Sequence, residues 1–284
     1  MKKPGYAVKK IDFKAMQGTE SLLSGLNLHT VCHQARCPNI SECFARGTAT
    51  FLILGDTCTR NCSFCNVKKG KPEIYDESEP EKVAEAVVRL KLKYAVITSV
   101  TRDDMEDGGA GAFAEVINEI RGRSMETKVE VLVPDFQALE SSIKKVIDAN
   151  PEVFAHNVET VPSFYHVRKG ADYKRSLHVL AIAKEINPRM TTKSAVLLGF
   201  GESEDEVLEV FDDLVATGCD YISIGQYLQP DKEHASVVEY IKPEKFDWYK
   251  QKAYDAGFKH VESGVWVRSS YMAETYNLKF KIEN

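Results

Sequence analysis

Thr50-Phe51-Leu52-Ile53-Leu54-Gly55-Asp56-Thr57-Cys58-Thr59-Arg60-Asn61-Cys62-Ser63-Phe64-Cys65 joins a short apolar run to a loop that holds three cysteines. The apolar run reads as a buried strand. The loop has the spacing C-x3-C-x2-C, which brings three thiolates together just after that strand. Thiolates are soft ligands that favour zinc or iron-sulfur clusters. Structural zinc closes its shell with a fourth Cys or His, usually as paired C-x2-C units, and this loop has no second unit. Lasting disulfides belong to oxidising compartments. A cluster held by three thiolates, with one iron left open to a small molecule, fits the spacing best.

Outward from the loop, the chain becomes rhythmic. Apolar runs at 50–54, 94–99, 130–133, 153–157, 192–198 and 221–225 read as strands, with a weaker candidate at 260–262. Helical periodicity falls between them at 79–90, 112–121, 141–149, 174–186, 204–217 and 243–256. Strands alternating with helices of this length predict βαβ units and a parallel sheet. The expected fold is α/β, a partial (β/α)6 barrel of TIM type, spanning 48–242. N- and C-terminal extensions at 1–47 and 243–284 fall outside the rhythm. Polar residues follow the strands, as in Arg102-Asp103-Asp104, Asn157 with Glu159, and Gln226, which is where barrel enzymes carry their chemistry.

The composition excludes several classes. With 284 residues, 43% hydrophobic and 28% charged, the chain has apolar side chains enough for a core, and no collagen-like or disordered bias. A net charge of −5 provides no general attraction to nucleic acid. The longest apolar stretch, Ala195-Val196-Leu197-Leu198-Gly199-Phe200, is far below the roughly 20 residues of a spanning helix. Met1-Lys2-Lys3-Pro4-Gly5-Tyr6 has positive charge but no following apolar run, so a cytoplasmic protein, with neither membrane nor nucleic acid as partner, is expected.

Six of the seven cysteines lie between Cys32 and Cys65. The second group, Cys32-His33-Gln34-Ala35-Arg36-Cys37-Pro38-Asn39-Ile40-Ser41-Glu42-Cys43, has the spacing C-x4-C-x5-C. Isolated cysteines are often buried small hydrophobes, which suits Cys219, but three within twelve residues point to a second cluster. Its remaining ligand must come from elsewhere.

The C-x3-C-x2-C loop, with aromatic Phe64 before its last cysteine, resembles the defining motif of the radical S-adenosylmethionine superfamily. The second cysteine group, continuing through Gly47-Thr48-Ala49-Thr50, narrows the resemblance to the lipoyl synthases. Ala155-His156-Asn157-Val158-Glu159-Thr160-Val161-Pro162, Thr192-Lys193-Ser194 and Arg268-Ser269-Ser270-Tyr271 support it, over about Gly25 to Glu274.

The resemblance implies two 4Fe-4S clusters and S-adenosylmethionine as cofactors. Cys58, Cys62 and Cys65 would hold the cluster that cleaves S-adenosylmethionine to methionine and a 5′-deoxyadenosyl radical. Cys32, Cys37, Cys43 and Ser270 would hold an auxiliary cluster that supplies sulfur and is destroyed in doing so. A serine oxygen suits a soft site poorly, so that ligand is expected to be labile. The cofactor would be met by Phe64, by Gly108 and Gly109, by Asn157 and Glu159, and by Lys193 or Arg168 at its carboxylate. The reaction implied is insertion of two sulfurs, at the sixth and eighth carbons of an octanoyl chain on a lysine of a lipoyl carrier domain. Such carriers are the E2 subunits of 2-oxoacid dehydrogenases and the H protein of glycine cleavage. An electron donor such as ferredoxin or flavodoxin, and cluster carrier proteins, would serve the enzyme.

Two departures stand out. Ser263-Gly264-Val265-Trp266-Val267 lacks the family's usual Pro-Leu pair, and Pro134-Asp135-Phe136-Gln137-Ala138 lacks a common glycine, which leaves local loop shape open. The rivals are another two-cluster sulfur inserter, of the biotin synthase or tRNA methylthiolation kind, and a non-catalytic cluster scaffold. The tRNA enzymes normally add a basic RNA-binding domain, of which this sequence has no sign.

Overall fold

The computed structural model describes residues 3–46 and 48–273. Met1 and Lys2 of the amino-terminal reading, Gly47 of the second motif, and residues 274–284 of the expected carboxy-terminal extension lie outside the described residues. In chain order the helices are α1 (Phe13–Gly25), α2 (Val31–Gln34), α3 (Ile40–Ala45), α4 (Glu79–Arg89), α5 (Ala110–Arg123), α6 (Glu140–Asp148), α7 (Tyr173–Ile186), α8 (Glu204–Ala216) and α9 (Pro243–Ala256). The strands are β1 (His29–Thr30), β2 (Thr50–Ile53), β3 (Thr57–Cys58), β4 (Lys68–Lys69), β5 (Tyr94–Ser99), β6 (Lys128–Leu132), β7 (Val153–Ala155), β8 (Thr191–Leu198), β9 (Tyr221–Gln226) and β10 (His260–Gly264).

One sheet runs β1-β2-β5-β6-β7-β8-β9-β10, parallel throughout except for β1, and it does not close on itself. This is the expected α/β partial barrel with two strands more than the six well-marked ones, the antiparallel β1 at one edge and β10 at the other. The weak candidate at 260–262 is a full strand, paired with β9 from His260↔Tyr221 to Gly264↔Gly225. Its pattern was faint because His260-Val261-Glu262-Ser263-Gly264 offers one large apolar side chain, Val261, and that one is wholly buried. Helix α9 and strand β10 therefore continue the βα alternation inside the stretch expected as an extension.

The period-two pleat explains both the core and the hollow. Ala95 and Ile97 of β5, Val129 and Val131 of β6, and Phe154 of β7 pack outward in one apolar cluster with α4, α5 and α6. Val196, Leu198, Ile222, Ile224 and Val261 do the same with α8 and α9. The alternate positions include Tyr94, Thr98, Glu130, Lys193 and Ser223. Tyr94 donates to Glu130 Oε2 at 2.7 Å and Lys193 donates to Glu130 Oε1 at 2.8 Å, which forms a polar belt near the strand starts. Helix ends follow their sequence signals, as at α8, where Ser203 and Glu206 form a reciprocal capping box.

The loop after β6 departs from the rhythm in an unusual way. Phe136, Gln137 and Ala138 all have positive φ, of 44, 52 and 56°. This is where the family's common glycine is missing, so the left-handed turn is kept without it, at a cost of about 1–2 kcal/mol per residue. Ala138→Gly is therefore expected to stabilise the fold by about 0.5–1 kcal/mol, the reverse of the usual sign for Ala→Gly. Thermal denaturation would show this as a midpoint higher by about 2 °C; a lower midpoint would remove strain as the reason. Among the described residues no helix is long and apolar enough to cross a membrane.

Candidate functional site

The Cys58–Cys65 loop leaves the end of β2 and is pinned to the barrel by its backbone. Thr59 N donates to Thr101 O at 3.0 Å, Ser63 N to Val167 O at 2.8 Å, and Ala235 N to Ser63 O at 2.8 Å. The Arg60 side chain anchors the same loop from beneath. Its guanidinium donates twice to Asp103, at 2.7 and 2.8 Å, and twice to Asp135, at 2.8 and 2.7 Å. Arg175 Nε donates to Asp135 Oδ2 at 2.8 Å, so a carboxylate with a 1% exposed side chain lies between two cations. Phe64 packs edge-on to Phe200 at 6.5 Å, and Phe200 stacks on Tyr227 at 4.4 Å.

Cys58, Cys62 and Cys65 lie near enough to feel one another. Burial pushes the Cys65 thiol up to about 12, and Cys62 and Cys58 add to the shift. Burial also raises Cys62, opposed by Arg168 and reinforced by Cys58 and Glu159. Bare Cys62 and Cys65 therefore hold their protons more tightly than free thiols, whereas a coordinated metal deprotonates a thiol outright. Among the described residues no three Cys, His, Asp or Glu side chains converge on one ion position. A 4Fe-4S cluster spreads its thiolates over separate irons, so its ligands do not need to converge, and crowded, buried thiols suit it.

The second group forms its own recess beside the starts of β2 and β5. Thr30 caps α2 by accepting from His33 N at 3.3 Å, α2 carries Cys32, and α3 carries Cys43. Cys37 sits on the turn between them, its N–H donating to Cys32 O at 2.9 Å. Two short helices around one turn thus account for C-x4-C-x5-C. Cys32, Cys37, Cys43 and Ser270 line a single cavity, together with Tyr94 and Arg268. Burial raises the Cys32 thiol to about 12, and the neighbouring Cys37 and Cys43 raise it further. Arg268 and residues 270–273 line the same recess, and Ala273 packs with Tyr94, Val96 and Tyr221. Thr50 Oγ1 donates to Ser270 Oγ at 2.8 Å, and Asn39 Nδ2 to Trp266 O at 2.7 Å. Lys9 bonds Asn39 and Glu42 at 2.7 and 2.6 Å, and Tyr271 donates to Glu42 Oε1 at 3.1 Å, which ties both ends of the chain around the recess.

Comparison with known proteins agrees with this arrangement. The Radical SAM superfamily matches residues 52–214. A lipoyl synthase of Caldicellulosiruptor saccharolyticus is 56% identical over 277 residues, covering 96% of each chain. The chain belongs to the lipoyl synthase family. A lipoyl synthase of Geotalea uraniireducens is 53% identical over 278 residues, covering 98% of both. In fold alone, the crystal structure of methylornithine synthase is similar, with a TM-score of 0.54 at 12% identity over 88% of this chain and 84% of that one.

Within this member of the lipoyl synthase family, the residues expected to meet the cofactor divide into three sets. Asn157, Glu159 and Arg168 come together at the end of β7. Asn157 Nδ2 donates to Glu159 Oε1 at 2.9 Å, and Arg168 Nη1 donates to Asn157 O at 3.0 Å. Arg168 Nε is buried and has no partner among the described residues, so it presents a donor that a bound group can satisfy. Gly108 and Gly109 have φ of 62 and 89°, and a Cβ on Gly109 would lie 2.2 Å from Leu54 Cδ1. Turn shape and packing therefore account for that glycine pair.

Lys193 is a correction. It was expected to face the cofactor's carboxylate, but its side chain is fully buried and paired with Glu130 in the polar belt. It is the third residue of the eight-residue strand β8, near the strand's start, whereas the Cys58–Cys65 loop follows a strand's end. A buried ammonium must be neutralised, and Glu130 does this. Gln226 is likewise spoken for, its amide donating to the carbonyls of Leu198, Tyr227 and Glu239, each at 3.0 Å.

His156 is a half-satisfied core histidine. Nδ1 meets Val133 O at 2.9 Å, so Nε2 is a bare acceptor, and burial lowers its pKa to about 4. Cys219 is a buried thiol whose Sγ lies 3.4 Å from Tyr221 O, as its isolation suggested. The reading of the sequence missed Asp103, Asp135 and Arg175 as supports of the cysteine loop. The available signal was an arginine inside that loop and acidic residues just after two strands.

Proposed function

We propose that the chain is a sulfurtransferase that inserts two sulfur atoms, at the sixth and eighth carbons of an octanoyl chain borne on a lysine of a lipoyl carrier domain. The observation that carries this reading is the pair of three-cysteine sites on one open barrel, in a chain 56% identical to a lipoyl synthase over 96% of its length. When bound, S-adenosylmethionine and one 4Fe-4S cluster supply radical chemistry, and a second cluster supplies sulfur. Cys58, Cys62 and Cys65 would hold the first cluster, and Cys32, Cys37, Cys43 and Ser270 the second.

The chain's own residues position and exclude. Arg60, fixed by Asp103 and Asp135, sets the cysteine loop against the barrel. Asn157 and Glu159 would take the ribose hydroxyls or the amino group, and Arg168 the carboxylate. Arg268 and residues 270–273 would cover the recess, which keeps competing hydrogen donors from a radical. The protein partners would be octanoylated E2 subunits and glycine-cleavage H protein, a low-potential donor of the ferredoxin or flavodoxin kind, and cluster carriers. A cytoplasmic setting suits seven free cysteines, since thiols are kept reduced there.

The test is anaerobic reconstitution with iron and sulfide, followed by dithionite, S-adenosylmethionine and an octanoyl-lysyl peptide. Mass spectrometry is expected to show a peptide that gains two sulfurs with no net change in hydrogen once the product is reduced to the dithiol, and that has two hydrogens fewer as the cyclic disulfide. Formation of 5′-deoxyadenosine with no sulfur gained would move the substrate elsewhere. If neither product forms with both sites loaded, the cluster-scaffold rival is favoured.

A further inference from the structure

Ser269 and Ser270 are consecutive, yet their hydroxyls serve different places. Ser270 accepts from Thr50 in the recess that holds Cys32, Cys37 and Cys43. Ser269 Oγ donates to Asn157 Oδ1 at 3.0 Å, at the end of β7. Because the Asn157 oxygen is occupied by Ser269, its NH2 group points to Glu159. The two serines are the central residues of one turn, closed by Tyr271 N donating to Arg268 O at 3.0 Å. The chain is packed tightly against β9 where it enters that turn, since a Cβ on Gly225 would lie 2.2 Å from Val267 O. Arg268 is felt by both Cys37 and Glu159, one residue from each site.

We propose that Ser269 is a positioning residue that couples the two cysteine sites: a shift of Ser270 turns Ser269 and frees the Asn157 amide, which loosens the hold on S-adenosylmethionine. This rests on the function proposed above and extends it. The proposed reaction breaks two C–H bonds, each by one 5′-deoxyadenosyl radical, so two molecules of S-adenosylmethionine would be consumed and the remains of the first must leave between the two insertions. Detachment of Ser270 from the recess, passed on through Ser269, would time that exchange.

The test measures binding rather than turnover. Equilibrium dialysis of S-adenosylmethionine against anaerobically reconstituted, unreduced protein is expected to give a Kd about fivefold weaker for Ser269→Ala, the effect of one lost hydrogen bond. Iron content should be unchanged, and Ser269→Thr should restore affinity. An unchanged Kd in Ser269→Ala, with both sites loaded, overturns the coupling. Loss of iron in Ser269→Ala assigns the residue to the cluster site and overturns it as well. Wild-type protein that carries full iron but binds no S-adenosylmethionine defeats the underlying function, and this inference with it.

Discussion

Cys43→Ala is expected to abolish sulfur insertion while leaving cleavage of S-adenosylmethionine in place. Cys43 sits on α3, and its carbonyl accepts from both Thr48 N at 2.8 Å and Thr48 Oγ1 at 3.0 Å, so the backbone of the recess is held without the thiol. What the substitution removes is one of three soft ligands, in a site whose remaining oxygen donor is a poor substitute. The residue is only half-buried, so the fold should lose little. Three measurements separate the effects: 5′-deoxyadenosine by chromatography, sulfur in the octanoyl peptide by mass spectrometry, and iron content. Cleavage should persist, sulfur transfer should fall to background, and one cluster's share of iron should be lost. Sulfur transfer at the wild-type level would show that this recess is not the donor.

Asp135→Ala is expected to damage the other site without touching its cysteines. It leaves Arg60, with a 7% exposed side chain, held by Asp103 alone, and deprives Arg175 of its carboxylate. Breaking a buried pair by removing one partner costs several kcal/mol; with Asp103 still in place the estimate is about 3 kcal/mol. The thermal midpoint should fall by about 5–10 °C. Arg60 anchors the loop that carries Cys58, Cys62 and Cys65, so iron loading there should fall as well. The acid side of the stability curve gives an independent check. Burial opposes ionisation of Asp135, but its hydrogen bonds to Arg60 and that residue's charge outweigh burial and hold the carboxyl well below the usual range. A lowered folded-state pKa stabilises above the unfolded value of about 4, and this contribution fades as pH falls below that value. The variant should therefore lose less stability on acidification than wild type. An unchanged midpoint at neutral pH would leave Arg60 adequately held by Asp103.

What could be read from the sequence depended on whether the signal was local. Both cysteine groups were legible because ligand chemistry imposes short, fixed spacings, and a two-helix fold around one turn satisfies the second of them. Strand β5 was legible at both ends because its outward face is apolar. Strand β10 was nearly invisible, since its inward positions meet a polar interior and leave Val261 to carry the pattern. Lys193 was misplaced because its partner, Glu130, lies 63 residues away, and no local rule separates a strand's start from its end when both are polar. The Arg60–Asp135 pairing spans 75 residues and was hidden for the same reason. The left-handed run at Phe136–Ala138 contradicts local preference outright, so composition could not announce it.

The open side of the barrel also imposes an order on synthesis. Thr50 and Ser270, which meet across the recess, lie 220 residues apart. At translation speeds of about 5–20 residues per second, the three early cysteines wait roughly 10–45 s before the serine that completes their site has been made. Through that interval three thiols stand uncovered, so the nascent chain is most vulnerable to oxidation when its first quarter is finished and its last few dozen residues are not.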